Sequence, residues 1–519
     1  MELNMKKLRY ILILSGILFL TSCNEWLNLL PRNEQVTDDY WKSKEDVEAV
    51  LASGYYYMRS SVPELIRWGE LRGGTLFSSN ATDAPLQNFN LTATSAICNF
   101  DNIYKTINMA NSVLKYAPLV RLEDDTYYES VMNSHMVEAY FMRAFCYFQL
   151  LKNYRDVPLV LQAYVNDDAS YELAKSSDTI IIAQIKHDIV TALATGAAKE
   201  KYEVDWQTKG RVTKWALYAL MADVCLWSED YDNCIIYAND ILNATASFRP
   251  VFIKDPTKWF DIFYPGNSNE SIMELNWDYQ TYNERNNFGS FFSLDASSRF
   301  RFTDVAMELF RTETNAVKAK DPSVDGRYGR TLLASYVHSG GVITDYKTAN
   351  QFYVWKYKGT DVADKDNVRT AEDANFILYR VAEVLLMKAE ALIMKGEPSW
   401  DAALSIVNQI RTRAALDTLA VTTSESNELE MLKLVLHERE MEFAAEGKRW
   451  YDLLRFGKMQ NFKYKEQFID MVVEANQTMN PQWIRSVLKS NDALYMPLPQ
   501  SEIIANPLLV QNPYYATTK

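Results

Sequence analysis

Apolar and polar positions alternate along most of this chain with the period of an α-helix. In "HMVEAYFMRAFCYFQLLKNY" (His135 to Tyr154), aromatic and small residues recur every three or four positions. "RVTKWALYALMADVCLWSEDYDNCIIYANDIL" predicts one helix, a polar turn at Ser228 to Asp232, and a second helix. "FILYRVAEVLLMKAEALIMKGEPSWDAALSIVNQIRTRA" predicts the same plan, with its turn at Lys395 to Ser399. Ala222 and Ala389 precede those turns, where a small side chain lets two helices approach before they diverge. Further helices are predicted at Lys44 to Tyr57, Asn102 to Tyr116, Thr179 to Ala194 and Glu428 to Glu446.

Two regions break the period. Residues 60–98 carry Pro63, Gly69, Gly73, Gly74 and Pro85 among polar and aromatic residues. Residues 245–370 are rich in Asn, Asp, Gly and aromatics, with strand-like patches such as "QFYVWKYKG". The expectation is a mainly α fold. Tetratricopeptide-like helical pairs would form a scaffold over about 36–59, 99–244 and 371–460, with a C-terminal tail at 461–519. The loop-rich, partly β insertions at 60–98 and 245–370 would form a ligand-binding face, because insertions in repeat scaffolds cluster on one side.

The N-terminus follows a different logic. Lys6, Lys7 and Arg9 precede the ten-residue apolar run Ile11 to Leu20, which is too short to span a bilayer and fits a secretory signal. Leu20-Thr21-Ser22-Cys23 resembles a bacterial lipobox, so residues 1–22 read as a signal peptide and Cys23 as the lipidated first residue of one domain over 23–519. Two or more acyl chains give stable membrane attachment. Cys98, Cys146, Cys225 and Cys234 read as buried thiols in apolar helices, with a Cys225–Cys234 bridge across a hairpin as the alternative.

Composition narrows the function. The 519 residues are 48% hydrophobic and 23% charged, with a formal net charge of −13 and no long basic block, which argues against nucleic acid. Neutral ligands such as sugars are indifferent to that charge. No hydrolase or phosphate-binding signature is present. "HEREM" at His437 lacks the second His of a zinc-protease helix, no Gly-x-Ser-x-Gly elbow occurs, and "HSGGV" lacks the Lys-Ser/Thr ending of a phosphate loop. No enzyme, cofactor or metal is expected, although a structural ion stays open.

"HEREMEFAAEGKRWYDLLRFGK" places Glu438, Glu442 and Glu446 four residues apart, on one helical stripe. Gly447 can cap that helix, and Arg449, Asp452 and Arg455 offer it partners. This predicts a salt-bridged joint. With Arg439 and Trp450 included, the segment resembles the SusD/RagB family of Bacteroidota outer-membrane lipoproteins. "EAYFMRAFCYFQLLKNYRDVPLV", "GRVTKWALYALMADVCL", "YRVAEVLLMKAEAL", "VNQIRTRA" and "YMPLPQSEIIANPLLVQNPYY" extend the resemblance over nearly the whole chain. Two positions depart from it: Tyr514, where the family often has Gly, and Gly74, where an Asp is common. The resemblance implies a lipid-anchored, surface-exposed protein that captures glycans, or in some members peptides. It also implies a lid-like position over a SusC-like TonB-dependent channel, and no catalysis.

A sugar needs an aromatic platform beside hydrogen-bonding side chains. The insertions offer Trp68 and Arg72; Asn80, Asp83, Gln87 and Asn88; Trp277, Tyr279, Tyr282 and Arg285; and Tyr346 and Trp355. Trp68 and Trp277 are the leading choices. A peptide-capturing protein of the same topology would present backbone-directed polar groups instead. A scaffold without a nutrient ligand would bury both tryptophans and have no cleft.

Overall fold

Periodic helices build the scaffold of the computed structural model, which describes residues 40–165, 171–320, 335–339, 342–343, 345–361, 367–476 and 480–516. The signal-peptide and Cys23 expectations lie outside these residues. α1 (Lys44–Ser60) starts on a capping box between Ser43 and Asp46, and α2 (Val62–Glu70) follows at once. β1 (Leu76–Ser78) leads to α3 (Asp101–Glu123) and α4 (Glu129–Tyr154). α4 is buried almost continuously from Val137 to Tyr154, because its apolar residues cover the whole circumference. α5 (Asp178–Ala194), the short α6 (Asp205–Gly210), and the hairpin of α7 (Lys214–Trp227) and α8 (Tyr231–Leu242) come next.

The second insertion contributes β2 (Ser271–Leu275), β3 (Phe300–Phe302), α9 (Asp304–Lys320), β4 (Ser335–Ser339), β5 (Val342–Ile343) and β6 (Phe352–Val354). β7 (Phe376–Arg380) runs into α10 (Val381–Met394), which pairs with α11 (Trp400–Arg413). α12 (Glu428–Glu442), α13 (Arg449–Phe462), α14 (Lys465–Ala475) and α15 (Pro481–Leu488) follow, and two short helices, Gln500–Ala505 and Pro513–Ala516, lie in the C-terminal tail. Packing passes from α1 through α3, α4, α5, α7, α8 and α10 to α11 and α12, each element lying against the next. The hairpin turns fall at Glu229 (φ +59°) and Gly396 (φ +101°), inside the two polar turns read from the sequence. The four described cysteines are buried free thiols, so Cys225 and Cys234 are not bridged.

Three sequence expectations are corrected. "FILYR" is strand β7, not the start of a helix; a short apolar run carries no period that distinguishes the two. β7 pairs antiparallel with β2, joining Leu275 to Phe376 and Ser271 to Arg380. The insertions also contain helices α2 and α9, the latter 17 residues long. The strands of the two insertions meet: β1 pairs antiparallel with β3, Leu76 opposite Phe302.

The third correction concerns α12, which opens on a capping box of Asn427 and Glu430 and ends at Glu442 rather than Glu446. Ala445 (φ +68°) and Gly447 (φ +73°) then turn the chain, so Glu446 leaves the helical stripe. Gly69 of α2 lies directly on this turn; a Cβ there would stand 2.0 Å from the Gly447 carbonyl oxygen. The Glu70 carboxyl accepts from the Gly447 N–H at 2.7 Å and the Lys448 N–H at 3.2 Å.

The joint is ion-paired, but with other partners than those expected. Arg380 reaches Glu442 at 2.7 Å and Glu446 at 2.9 Å, Arg413 reaches Glu442 at 2.6 Å, Lys356 reaches Glu446 at 2.7 Å, and Arg411 reaches Glu438 at 2.9 Å. Glu270 joins through Arg380 at 3.2 Å and Arg413 at 2.7 Å. Arg449 instead meets Glu440 at 2.6 Å. Asp452 holds Arg439 at 2.8 Å, and Arg455 holds Glu390 at 2.6 Å. Burial alone would raise the Glu446 carboxyl, yet Arg380 and Lys356 outweigh it and hold it below its usual value. Around this joint the buried apolar side chains form one continuous cluster from Trp41 to Leu509. A separate small cluster of Val317, Ala414 and Leu416 holds the far end of α9.

Candidate functional site

Most of the aromatic and polar residues singled out in the sequence serve packing. Trp68 is fully buried; its Nε1–H donates to the Ile97 carbonyl at 2.7 Å and its ring stands edge-on to Tyr154. It sits on the inward face of α2 with Leu65 and Ile66, and that face has no solvent side. Arg72 is buried with its guanidinium 4.1 Å above the Trp450 ring and donates to the Leu494 carbonyl. Trp355 is fully buried and donates to the Asp361 carbonyl. Trp277 is 9% exposed, edge-on to Phe288, with Arg59 at 5.7 Å from its ring. Tyr346 and Gln87 are also buried. Trp68, Arg72, Trp277 and Trp355 are therefore corrected from ligand platform to core.

Asp83 is corrected in the same way. It is fully buried and holds Arg299 through two bonds of 2.7 and 2.6 Å, while the Ser78 hydroxyl donates to it at 2.5 Å. This pair fastens the 79–83 turn to β3 and leaves Asn80 exposed on it. Asn88 is half-buried. Tyr282 (66% exposed) and Arg285 face solvent, and Arg285 stacks 4.6 Å from the half-buried Tyr279 ring. Asn80, Asn88, Tyr279, Tyr282 and Arg285 remain at the surface, available to a ligand.

A cleft of about 360 Å³ opens between α1, α6 and the end of β2, within the size range of small-ligand sites. Glu48, Tyr55, Arg59, Trp206, Gln207 and Asn276 line it. α6 is short and polar, "DWQTKG", so it has no core face for its tryptophan, and Trp206 stays 45% exposed. Close contact fixes α6: a Cβ on Gly210 would lie 2.6 Å from the Asn276 amide. The Asn276 Nδ2–H donates to the Trp206 carbonyl at 3.3 Å, and its Oδ1 is buried without a hydrogen-bond partner. Arg59 donates to the Asn276 carbonyl at 3.0 Å and to Glu284 at 2.8 Å, tying the loop that carries Tyr279 and Tyr282 to the rim.

The floor is rigid. Tyr55 donates to Glu138 at 2.5 Å, and Arg211 holds the same carboxylate at 3.0 and 2.5 Å. Burial first, then the Glu138 charge, pushes the Tyr55 hydroxyl well above its usual value, so it stays a neutral donor. The cleft thus combines an aromatic face, fixed amide and guanidinium groups, and a stiff base. That arrangement can stack on an apolar ring face and hydrogen-bond its hydroxyls. Trp206 was missed in the sequence because it lies outside both insertions. Its signal was a tryptophan without apolar neighbours in helical register. A second cleft, about 290 Å³, lies beside the β1–β3 pair between Phe77, Arg301 and Gln351.

Comparison with known proteins agrees with this architecture. A family model described as "SusD family" matches residues 278–515, and one described as "Starch-binding associating with outer membrane" matches residues 25–226. SusD-like protein P38 of Formosa agariphila is 27% identical, over 98% of this chain and 100% of its own length. A SusD superfamily structure from Bacteroides vulgatus superposes with a TM-score of 0.70 at 21% identity, covering 91% of this chain and 99% of that one. A laminarin-binding SusD-like protein superposes with a TM-score of 0.67 at 19% identity, covering 92% and 100%. At these identities the structural likeness speaks for the fold. With the two family models accounting for most of both halves, the chain belongs to the SusD/RagB family.

Proposed function

We propose that this protein captures glycans at the cell surface and passes them to a SusC-like TonB-dependent channel of the outer membrane. The observation that carries the reading is the exposed Trp206 over a cleft edged by Arg59, Gln207 and Asn276, in a chain of this family. Cys23 would hold the protein on the membrane by its lipids, and binding rather than catalysis is the activity. The laminarin-binding neighbour and the starch-binding family description make β-glucans and α-glucans the first ligands to try.

Affinity electrophoresis through gels loaded with these polysaccharides, followed by calorimetry with their oligosaccharides, tests the reading. Retardation by at least one glycan is expected. No retardation across the panel, together with tight binding of peptides, would overturn it. Cys23→Ala is expected to move the protein from the membrane fraction to the soluble one. Co-purification of the lipidated protein with a TonB-dependent channel tests the partner.

A further inference from the structure

We propose that Glu313, His437 and Glu438 form a binding site for one zinc-like divalent cation, which clips α9 of the second insertion to scaffold helix α12. The inference is independent of the glycan-binding reading. His437 Nε2 lies 3.5 Å from Glu313 Oε1, and one ligand atom from each of the three residues lies within 4.8 Å of the others. Four ligands held about 2.0–2.2 Å from Zn²⁺ in a tetrahedron stand roughly 3.4 Å apart, so the His437–Glu313 pair is already at the spacing of two zinc ligands.

The surroundings fit an ion. Glu313 and Glu438 are buried, at 6% and 1% exposure, while the His437 side chain is 40% exposed and leaves the site a route from solvent. Two carboxylates and an imidazole brought together with little water are the donor set that a divalent ion takes. Arg411 also contacts Glu438, at 2.9 Å. A carboxylate has two oxygens, so the guanidinium and a cation can share it, with Arg411 orienting the ligand from behind.

One imidazole nitrogen and two carboxylate oxygens suit Zn²⁺, with water completing the tetrahedron. Ca²⁺ prefers six to eight oxygens and Mg²⁺ an octahedron of them. The position has a structural consequence. The first turns of α9 bury Ala306, Met307 and Phe310 in the main core, whereas its far end rests on the small Val317, Ala414 and Leu416 cluster. Glu313 lies between the two. An ion there would fix the helix that follows β3, and so the position of the insertion face.

The test uses the full-length protein in detergent, stripped with a chelator and titrated with Zn²⁺ by calorimetry. Binding of one Zn²⁺ per chain is expected, with a rise in melting temperature as the ion stabilises the folded state. His437→Gln and Glu313→Gln are each expected to weaken binding at least tenfold, while His187→Gln, at an exposed site on α5, leaves it unchanged. His437 is partly exposed, so its variant should keep the melting temperature of the metal-free protein. Co²⁺ should give the intense visible bands of a four-coordinate site, absent in the His437 variant. The proposal is overturned if no saturable Zn²⁺ binding occurs, if His437→Gln binds as tightly as the unaltered chain, or if Ca²⁺ is preferred.

Discussion

Glu70 shows what burial does to a single acidic residue. It is fully buried beside Gly69, and burial raises its carboxyl to about 8 despite the two N–H groups donating to it. A carboxyl raised in the folded state binds its proton more tightly there than in the unfolded chain. Its contribution to stability is complete below the ordinary value of 4.5 and is lost as pH rises through about 8. Stability should therefore fall across that window, by up to about 1.4 kcal/mol per pH unit from this group. Glu70→Gln keeps an acceptor for the N–H groups of Gly447 and Lys448 and should flatten the slope, read as melting temperature against pH. Gly69→Ala is a harder test of packing, because the obstacle is backbone. A loss of at least about 3 kcal/mol, or failure to fold, is expected in denaturant titration. The burial of Trp68 was illegible in the sequence: the Gly- and Pro-rich flanks of α2 look like a loop, and only tertiary contact reveals which side of a nine-residue helix is covered.

Among the elements, long periodic helices were legible and short or irregular ones were not. The α7–α8 and α10–α11 hairpins follow their polar turns closely, because a run of three or more turns repeats the apolar signal several times. α6, β7 and the end of α12 have no such redundancy. The ionic joint was legible as charge but not as pairing, since Arg380, Arg413 and Lys356 come from distant elements. Removing one partner from a buried network leaves the others uncompensated. Arg380→Met should cost about 3–5 kcal/mol. Lys395→Ala breaks an exposed pair with Asp232 and should change stability by no more than about 0.5 kcal/mol. Equal effects of the two substitutions in chemical denaturation would refute this ranking.

At the scale of the molecule, a series of helices carries two insertions, and the series was more legible in the sequence than the burial of the insertions' aromatics. The aromatics of the insertions mostly fill their own core, while the exposed platform sits on a six-residue helix between scaffold elements. Trp206→Ala should weaken binding of a retained glycan by about 2 kcal/mol, roughly 30-fold, with an unchanged melting temperature. Trp277→Ala should instead lower the melting temperature through loss of core packing. The joint also bears on how the chain reaches its place of work. Glu270 is buried against Arg380 and Arg413, and these meet Glu442. A chain crossing a membrane from its N-terminus delivers Glu270 long before the basic residues that neutralise it. Until Arg380 and Arg413 have emerged, with about four-fifths of the polypeptide delivered, the earlier part holds a carboxylate without these partners. The charge network around Glu270 is therefore completed only by residues from the C-terminal part of the chain.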